Sequence, residues 1–258
     1  MDDRRALLDA REALSRALLA AEEWHESYRA DPDAFNELVR LESALETAVG
    51  EYLHGLAERA PTYVDWTVLK ASDVPPATDP VWDEERLLMT AAVLEIITQL
   101  TALGVVAGEA NYEIPIAYDS LDDAIMHAAR TQVATLVRGA TETTRKLIRE
   151  SVAQSIALGE DSYAATERLM KVIDNPIRAV TIAQTEPVNA YQRGYYLYAK
   201  QTGAVSKTWD GLIGACKICA PLIGTTVGID ETFKLANGEE REHPAGHPRC
   251  RCSVIYNY

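Results

Sequence analysis

The chain has 258 residues, 47% of them hydrophobic, which is enough apolar material for one large or two ordinary globular domains and too much for a disordered tail. Its formal net charge of −14 is uneven: residues 1–120 carry 24 acids against 9 bases, residues 121–209 carry 9 against 11. A front half of that sign repels phosphate, so the chain is not expected to coat nucleic acid; any DNA contact falls to the second half and is weak.

The N-terminal run Met1-Asp2-Asp3-Arg4-Arg5 leads into charged, helix-period sequence with no apolar signal core, so folding in a reducing cytoplasm is expected. Leu7, Leu8, Leu14, Leu18 and Leu19 recur at helical spacing over residues 4–30. Asp31-Pro32 restarts a helix, with Asp31 as cap and Pro32 in the first turn. Leu38, Leu41, Leu45, Val49, Leu53 and Leu56 line one face of it as far as Arg59. Prolines punctuate residues 61–80, a linker of extended character around residues 63–69. Its aromatics, Tyr63 and Trp66, are expected to pack against the helices rather than on a partner.

A helix over residues 83–106 follows, stopped by Gly108. The apolar run 87–108 has the length of a membrane span but carries Glu95 and Gln99; a carboxylate at mid-membrane costs several kcal/mol, so the run reads as a buried helix with the charge turned outward. After a connector containing Pro115, Ser120 and Asp123 suggest a capping box opening a helix to Leu158, with Gly139 as a bend and Gly159 as the stop. Ser162 is expected to cap a helix to Ile173, and Asn175-Pro176 to start another. Pro187 inside that one predicts a fresh helix capped by Thr185. Tyr191, Tyr195 and Tyr198 then form a stripe at i, i+4 and i+7, expected to pack in a core or interface rather than to stack on nucleic acid.

After Gly203 the period becomes two, so residues 205–209 and 253–258 predict a pair of strands. All four cysteines flank this lobe, as Cys216-x2-Cys219 and Cys250-x-Cys252 with 30 residues between the pairs. A Cys-x2-Cys knuckle offers a tetrahedral zinc ion two thiolates, and Cys250, Cys252 and His247 compete for the other two places. Disulfides are the alternative; either would stiffen a lobe too small to cohere by burial alone. The expectation is a mainly α protein in three consecutive parts: an acidic helical bundle over 1–110, a long-helix module over 111–203, and a small β lobe over 204–258 clipped by its cysteines.

Several short runs carry a resemblance: Arg145-Lys146-Leu147-Ile148-Arg149, Ile182-Ala183-Gln184-Thr185-Glu186, Lys207-Thr208-Trp209-Asp210, Cys216 to Cys219, and His247-Pro248-Arg249-Cys250-Arg251-Cys252. In this order the region 144–256 resembles the phage head morphogenesis family, the Mu F-like minor head proteins. Gln184 departs from the family's usual arginine, and Pro187 interrupts the helix. The resemblance implies a structural minor capsid protein of a tailed bacteriophage. Such a protein acts in procapsid assembly and DNA packaging or delivery, contacts the portal protein and the major capsid or scaffold protein, and sits in the virion head near the portal after assembly in the host bacterial cytoplasm. It implies no enzyme and no membrane. The alternative is a metal-dependent nuclease or DNA-processing factor using His243 and His247. Neither His-x-Glu nor His-Glu-x-x-His, the signatures of zinc deaminases and metalloproteases, occurs in the chain.

Overall fold

The computed structural model describes residues 24–67, 74–211 and 215–258. It is mainly α with a small C-terminal β lobe. Five helices, α1 (Pro32–Arg59), α2 (Pro80–Tyr112), α3 (Asp122–Leu158), α4 (Ser162–Ile173) and α5 (Pro176–Gln201), precede strands β1 (Ser206–Asp210), β2 (Thr226–Gly228), β3 (Phe233–Lys234), β4 (Glu240–Arg241) and β5 (Ser253–Asn257). Most of the helix expected over residues 4–30 lies outside the described residues; its described end is a short 3-10 turn, Glu26–Arg29.

Asp31 caps α1 as expected, its Oδ1 accepting from the amides of Asp33 at 2.9 Å and Ala34 at 3.1 Å. All six predicted face residues, Leu38 to Leu56, are buried. No strand forms in the described residues of the linker, 61–67 and 74–79. Instead the Tyr63 hydroxyl donates to Glu85 at 2.5 Å, and the Trp66 indole donates to the Pro61 carbonyl.

The chain forms two compact units that cut across the three consecutive parts expected. One comprises residues through Ser43 with Gln99–Ile125 and Gln184–Tyr258; the other comprises Ala44–Thr98 and Met126–Ala183. Long helices are the reason, since four of the five contribute a segment to each unit.

In the second unit, Glu85 is buried at 2% exposure and tied to Arg59 by paired bonds of 2.7 and 2.9 Å. Asp161, not Ser162, caps α4 by accepting from the Ala164 amide. Gly139 makes no break in α3, and Gly159 ends it at φ +65°. In the first unit, Ser120 does not cap α3 either, because its hydroxyl donates to the Ala117 carbonyl.

In the first unit the expected stop at Gly108 gives way to a longer helix, which ends with Glu113 at φ +56°. The glycines of α2 serve packing instead. A methyl at Gly104 would lie 1.9 Å from the Tyr191 carbonyl oxygen, and one at Gly194 1.8 Å from that of Thr101, so α2 and α5 touch backbone to backbone. Among the described residues, α2 is the one helix long and apolar enough to cross a membrane, with a mean hydropathy of 1.7 over its most apolar stretch. Met89, Val93, Ile97, Leu100 and Val105 on it are buried, whereas Leu87, Leu88 and Glu95 are exposed. The tyrosine stripe is core: Tyr191, Tyr195 and Tyr198 are at most 4% exposed.

Helix α5 runs unbroken through Pro187, contrary to the expected restart. Proline has no amide hydrogen to bind the carbonyl one turn back, so acceptors in that turn become available. That carbonyl is Ala183's; the next one along, of Gln184, accepts from Arg251 at 2.6 Å. Thr185 is no cap, and its hydroxyl accepts from the Arg249 amide at 3.0 Å.

The β lobe holds a three-stranded antiparallel sheet, ordered β2-β1-β5, and a two-stranded hairpin, β3-β4. Lys207 pairs with Tyr256 and Trp209 with Val254 across β1 and β5, as the alternation predicts. Period two turns Lys207 and Trp209 to the buried face while Ser206 and Thr208 stay partly exposed.

Candidate metal centre

Two turns bring the cysteines together. After β1, the Cys219 and Ala220 amides both donate to the Cys216 carbonyl, at 3.1 and 2.8 Å, closing the first knuckle. On the far arm the Cys250 amide donates to the His247 carbonyl at 3.1 Å, and Arg249 at φ +63° supplies the reversal. Gly246 lies between them with almost no clearance. A methyl there would meet Leu235 at 3.1 Å, the Trp209 ring at 3.3 Å and the Cys219 sulfur at 3.5 Å.

The donors form two triplets sharing Cys219: Cys216, Cys219 and His247 in one, Cys219, Cys250 and Cys252 in the other, each with all donor atoms within 4.8 Å of one another. Cys216 Sγ lies 3.0 Å from His247 Nε2, and Cys219 Sγ lies 3.8 Å from Cys250 Sγ. All four cysteines are free, and 3.8 Å is nearly twice the ~2.05 Å of a disulfide. The cluster Cys219, Cys250 and Cys252 could hold a metal ion, and its three sulfurs are buried.

Cys250 and Cys252 both reach Cys219. Side chains two apart in extended chain share a face, and the intervening residue takes the other. Both sulfurs accordingly face Cys219 while Arg251 turns away, to Glu42 at 2.8 and 3.0 Å and over the Trp24 ring at 3.8 Å.

The thiols and the imidazole shift one another strongly. Cys219 and Cys252 donate to Cys250 and His247 bonds to it, which holds the Cys250 thiol far below its ordinary range. The same contacts push Cys219 up. His247 is raised to about 9, first by its bond to Cys250. Cys216 is lowered although burial opposes it, because the Cys219 and Ile218 amides point at its sulfur.

Residues outside the set of thiol and imidazole donors hold this arm in place. Thr185, Asn189 and Arg193 stand four apart on α5, and grip the Arg249 amide at 3.0 Å, the Ala245 amide at 3.0 Å and the Glu242 carboxylate at 2.5 Å in turn. The Tyr28 hydroxyl donates to the Cys252 carbonyl at 2.8 Å and accepts from Gln192, which also donates to Ser253.

His243 and His247 do not form a pair. His243 is buried at 7% exposure, with Nδ1 directed at its neighbour's carbonyl, that of Pro244, at 2.5 Å. His247 belongs to the thiol cluster.

No protein-family model matches the chain, and no curated protein or solved structure matches it either.

Proposed function

We propose that this chain is a structural minor head protein of a tailed phage, whose C-terminal lobe is pinned by a zinc ion and serves as a stiff docking piece against the portal protein. The observation that carries the reading is the convergence of the two signature runs. Cys-x2-Cys and His-Pro-x-Cys-Arg-Cys lie 30 residues apart in sequence, and their donors meet around Cys219. Zinc suits the donor chemistry. Four ligands about 2.3 Å from a tetrahedral ion stand about 3.8 Å from one another, which is the separation of Cys219 and Cys250. The ion takes four of the five donors Cys216, Cys219, His247, Cys250 and Cys252, and its shell then has no place for a reactive water. That favours a structural role over the nuclease alternative. Arg251 and the α5 row then transmit the rigidity of the clip to the helices that carry it.

Co-expression with the portal protein of the same genome tests the reading. The two should co-purify across several salt concentrations, and a Cys219→Ala variant should lose the partner. Failure of the wild-type pair to co-purify at any salt concentration would refute the assignment, and DNA cleavage by the zinc-loaded chain would favour the nuclease.

A further inference from the structure

Lys207 is a lysine in a place made for an apolar side chain. It is fully buried on β1, and its Nζ has no hydrogen-bond partner. The ammonium lies 4.8 Å from the Tyr196 ring centroid and 5.8 Å from that of Phe233. Arg193 and Lys200 approach the same tyrosine ring, but each has its own carboxylate, Glu242 at 2.5 Å and Asp230 at 2.6 Å. Among the described residues Lys207 has no carboxylate of its own. A buried ammonium left without a partner costs several kcal/mol, so something satisfies it.

The complementary deficit lies against that same ring. His243 packs 6.3 Å from Tyr196, centroid to centroid. Its Nδ1 lies 2.5 Å from the Pro244 carbonyl, which only an N–H can satisfy, so the proton sits on Nδ1 and Nε2 carries a lone pair. That Nε2 is buried without a partner. Burial foremost, with the charges of Arg193 and Lys207 behind it, pushes the ring down to about 3, so it is neutral. An unmatched donor and an unmatched acceptor beside one ring would be satisfied together by a water that accepts from Nζ and donates to Nε2. An anion would satisfy Lys207 but set negative charge against the imidazole lone pair.

We propose that Lys207 is a positioning residue for the metal-binding arm: through buried water it satisfies His243 Nε2, and with the Nδ1–H bond to Pro244 this fixes the turn over residues 243–247 that delivers His247 to Cys216. The proposal rests on the cluster being a metal site. Asn189 grips the same turn at the Ala245 amide, and Gly246 wedges it against Trp209, so a change in His243 is passed on over four residues.

The test compares wild type with Lys207→Met, which keeps the stem, and Lys207→Arg, which keeps the charge. Long-range proton–nitrogen spectra of the His243 ring should show an Nε2 shift of a hydrogen-bonded acceptor in wild type and in Lys207→Arg, and that of an unbonded lone pair in Lys207→Met, with Nδ1–H kept in all three. Zinc affinity, measured by competition with a chromogenic chelator, should fall about tenfold in Lys207→Met, the size of effect seen when second-layer partners of a metal ligand are removed. His243→Phe should weaken zinc by a similar factor and add nothing to Lys207→Met; it provides the same comparison if Lys207→Met does not fold. Unchanged zinc affinity in both variants, or losses that add in full, would overturn the proposal. If wild type takes up no zinc, the metal reading fails by itself, while the nitrogen shifts still decide whether Lys207 satisfies His243 Nε2.

Discussion

The backbone contact between α2 and α5 makes Gly104→Ala a severe test of the packing. A methyl carbon at Gly104 would lie 1.9 Å from the Tyr191 carbonyl oxygen and 2.9 Å from the Tyr195 amide nitrogen, against a comfortable separation of about 3.5 Å. Both obstacles are backbone, so no side chain can swing aside and the helices must part by more than about 1 Å. A gap of that size forfeits a quarter to a half of the dispersion energy across the crossing. Alanine returns about 1 kcal/mol of helix propensity, which does not offset an overpacking cost of about 3 kcal/mol or more. A net loss of about 2 to 4 kcal/mol is expected, and Gly194→Ala should behave alike, since its methyl would meet the Thr101 carbonyl oxygen at 1.8 Å. Gly139 on α3 is the control: a methyl there meets nothing within 4 Å, so Gly139→Ala should gain up to about 1 kcal/mol. Urea denaturation followed by far-ultraviolet circular dichroism measures all three. A Gly104→Ala protein as stable as wild type would refute the close crossing.

Arg251→Met should cost about 3 to 5 kcal/mol by leaving the largely buried Glu42 carboxylate without its cation, and adding Glu42→Gln should restore part of it in the same denaturation assay. Tyr28→Phe removes a buried hydroxyl that joins Gln192 to the Cys252 carbonyl and should cost about 1 to 3 kcal/mol. His243 gives a pH signature. Its folded value of about 3 lies below the ordinary 6.5, so the unfolded chain binds the proton first. The contribution to stability is therefore full above about pH 6.5 and is lost as pH falls toward 3, at up to about 1.4 kcal/mol per pH unit. Urea midpoints measured from pH 7 to pH 4 should fall less steeply in His243→Phe than in wild type; identical slopes would contradict a neutral buried ring.

Much of the helical frame was legible because its signals are local. Asp31-Pro32 and the leucine face of α1 need only one helix to be interpreted, and the two-residue period of β1 and β5 needs only the pair. The misreadings share a physical cause. Gly108 and Pro187 have local meanings, stop and break, that contacts distant in sequence override: Tyr198 packs where a Gly108 side chain would be, and Arg251 takes a carbonyl in the turn before the proline. Ser120 and Ser162 were each one plausible cap among several polar neighbours, and the choice fell to Asp161 in the second case. At the candidate site, the donors themselves were visible from their spacing. The alternation of Cys250, Arg251 and Cys252 already places two thiols on one face and the guanidinium on the other. Lys207, His243 and the row Thr185, Asn189 and Arg193 were not identifiable as support for the site. Their role depends on α5 lying beside an arm some fifty residues later in the chain, which no local pattern encodes.

The most direct measurement is the metal content of the chain purified without added metal, by plasma mass spectrometry, together with thiol titration and melting temperature before and after chelation. The account predicts one zinc per chain, thiols that react with an aromatic disulfide reagent only after the metal is removed, and a lower melting temperature in the stripped protein and in Cys219→Ala. A chain that is free of metal, exposes Cys216 freely while keeping its lobe folded, and melts at the same temperature with or without chelator would contradict it.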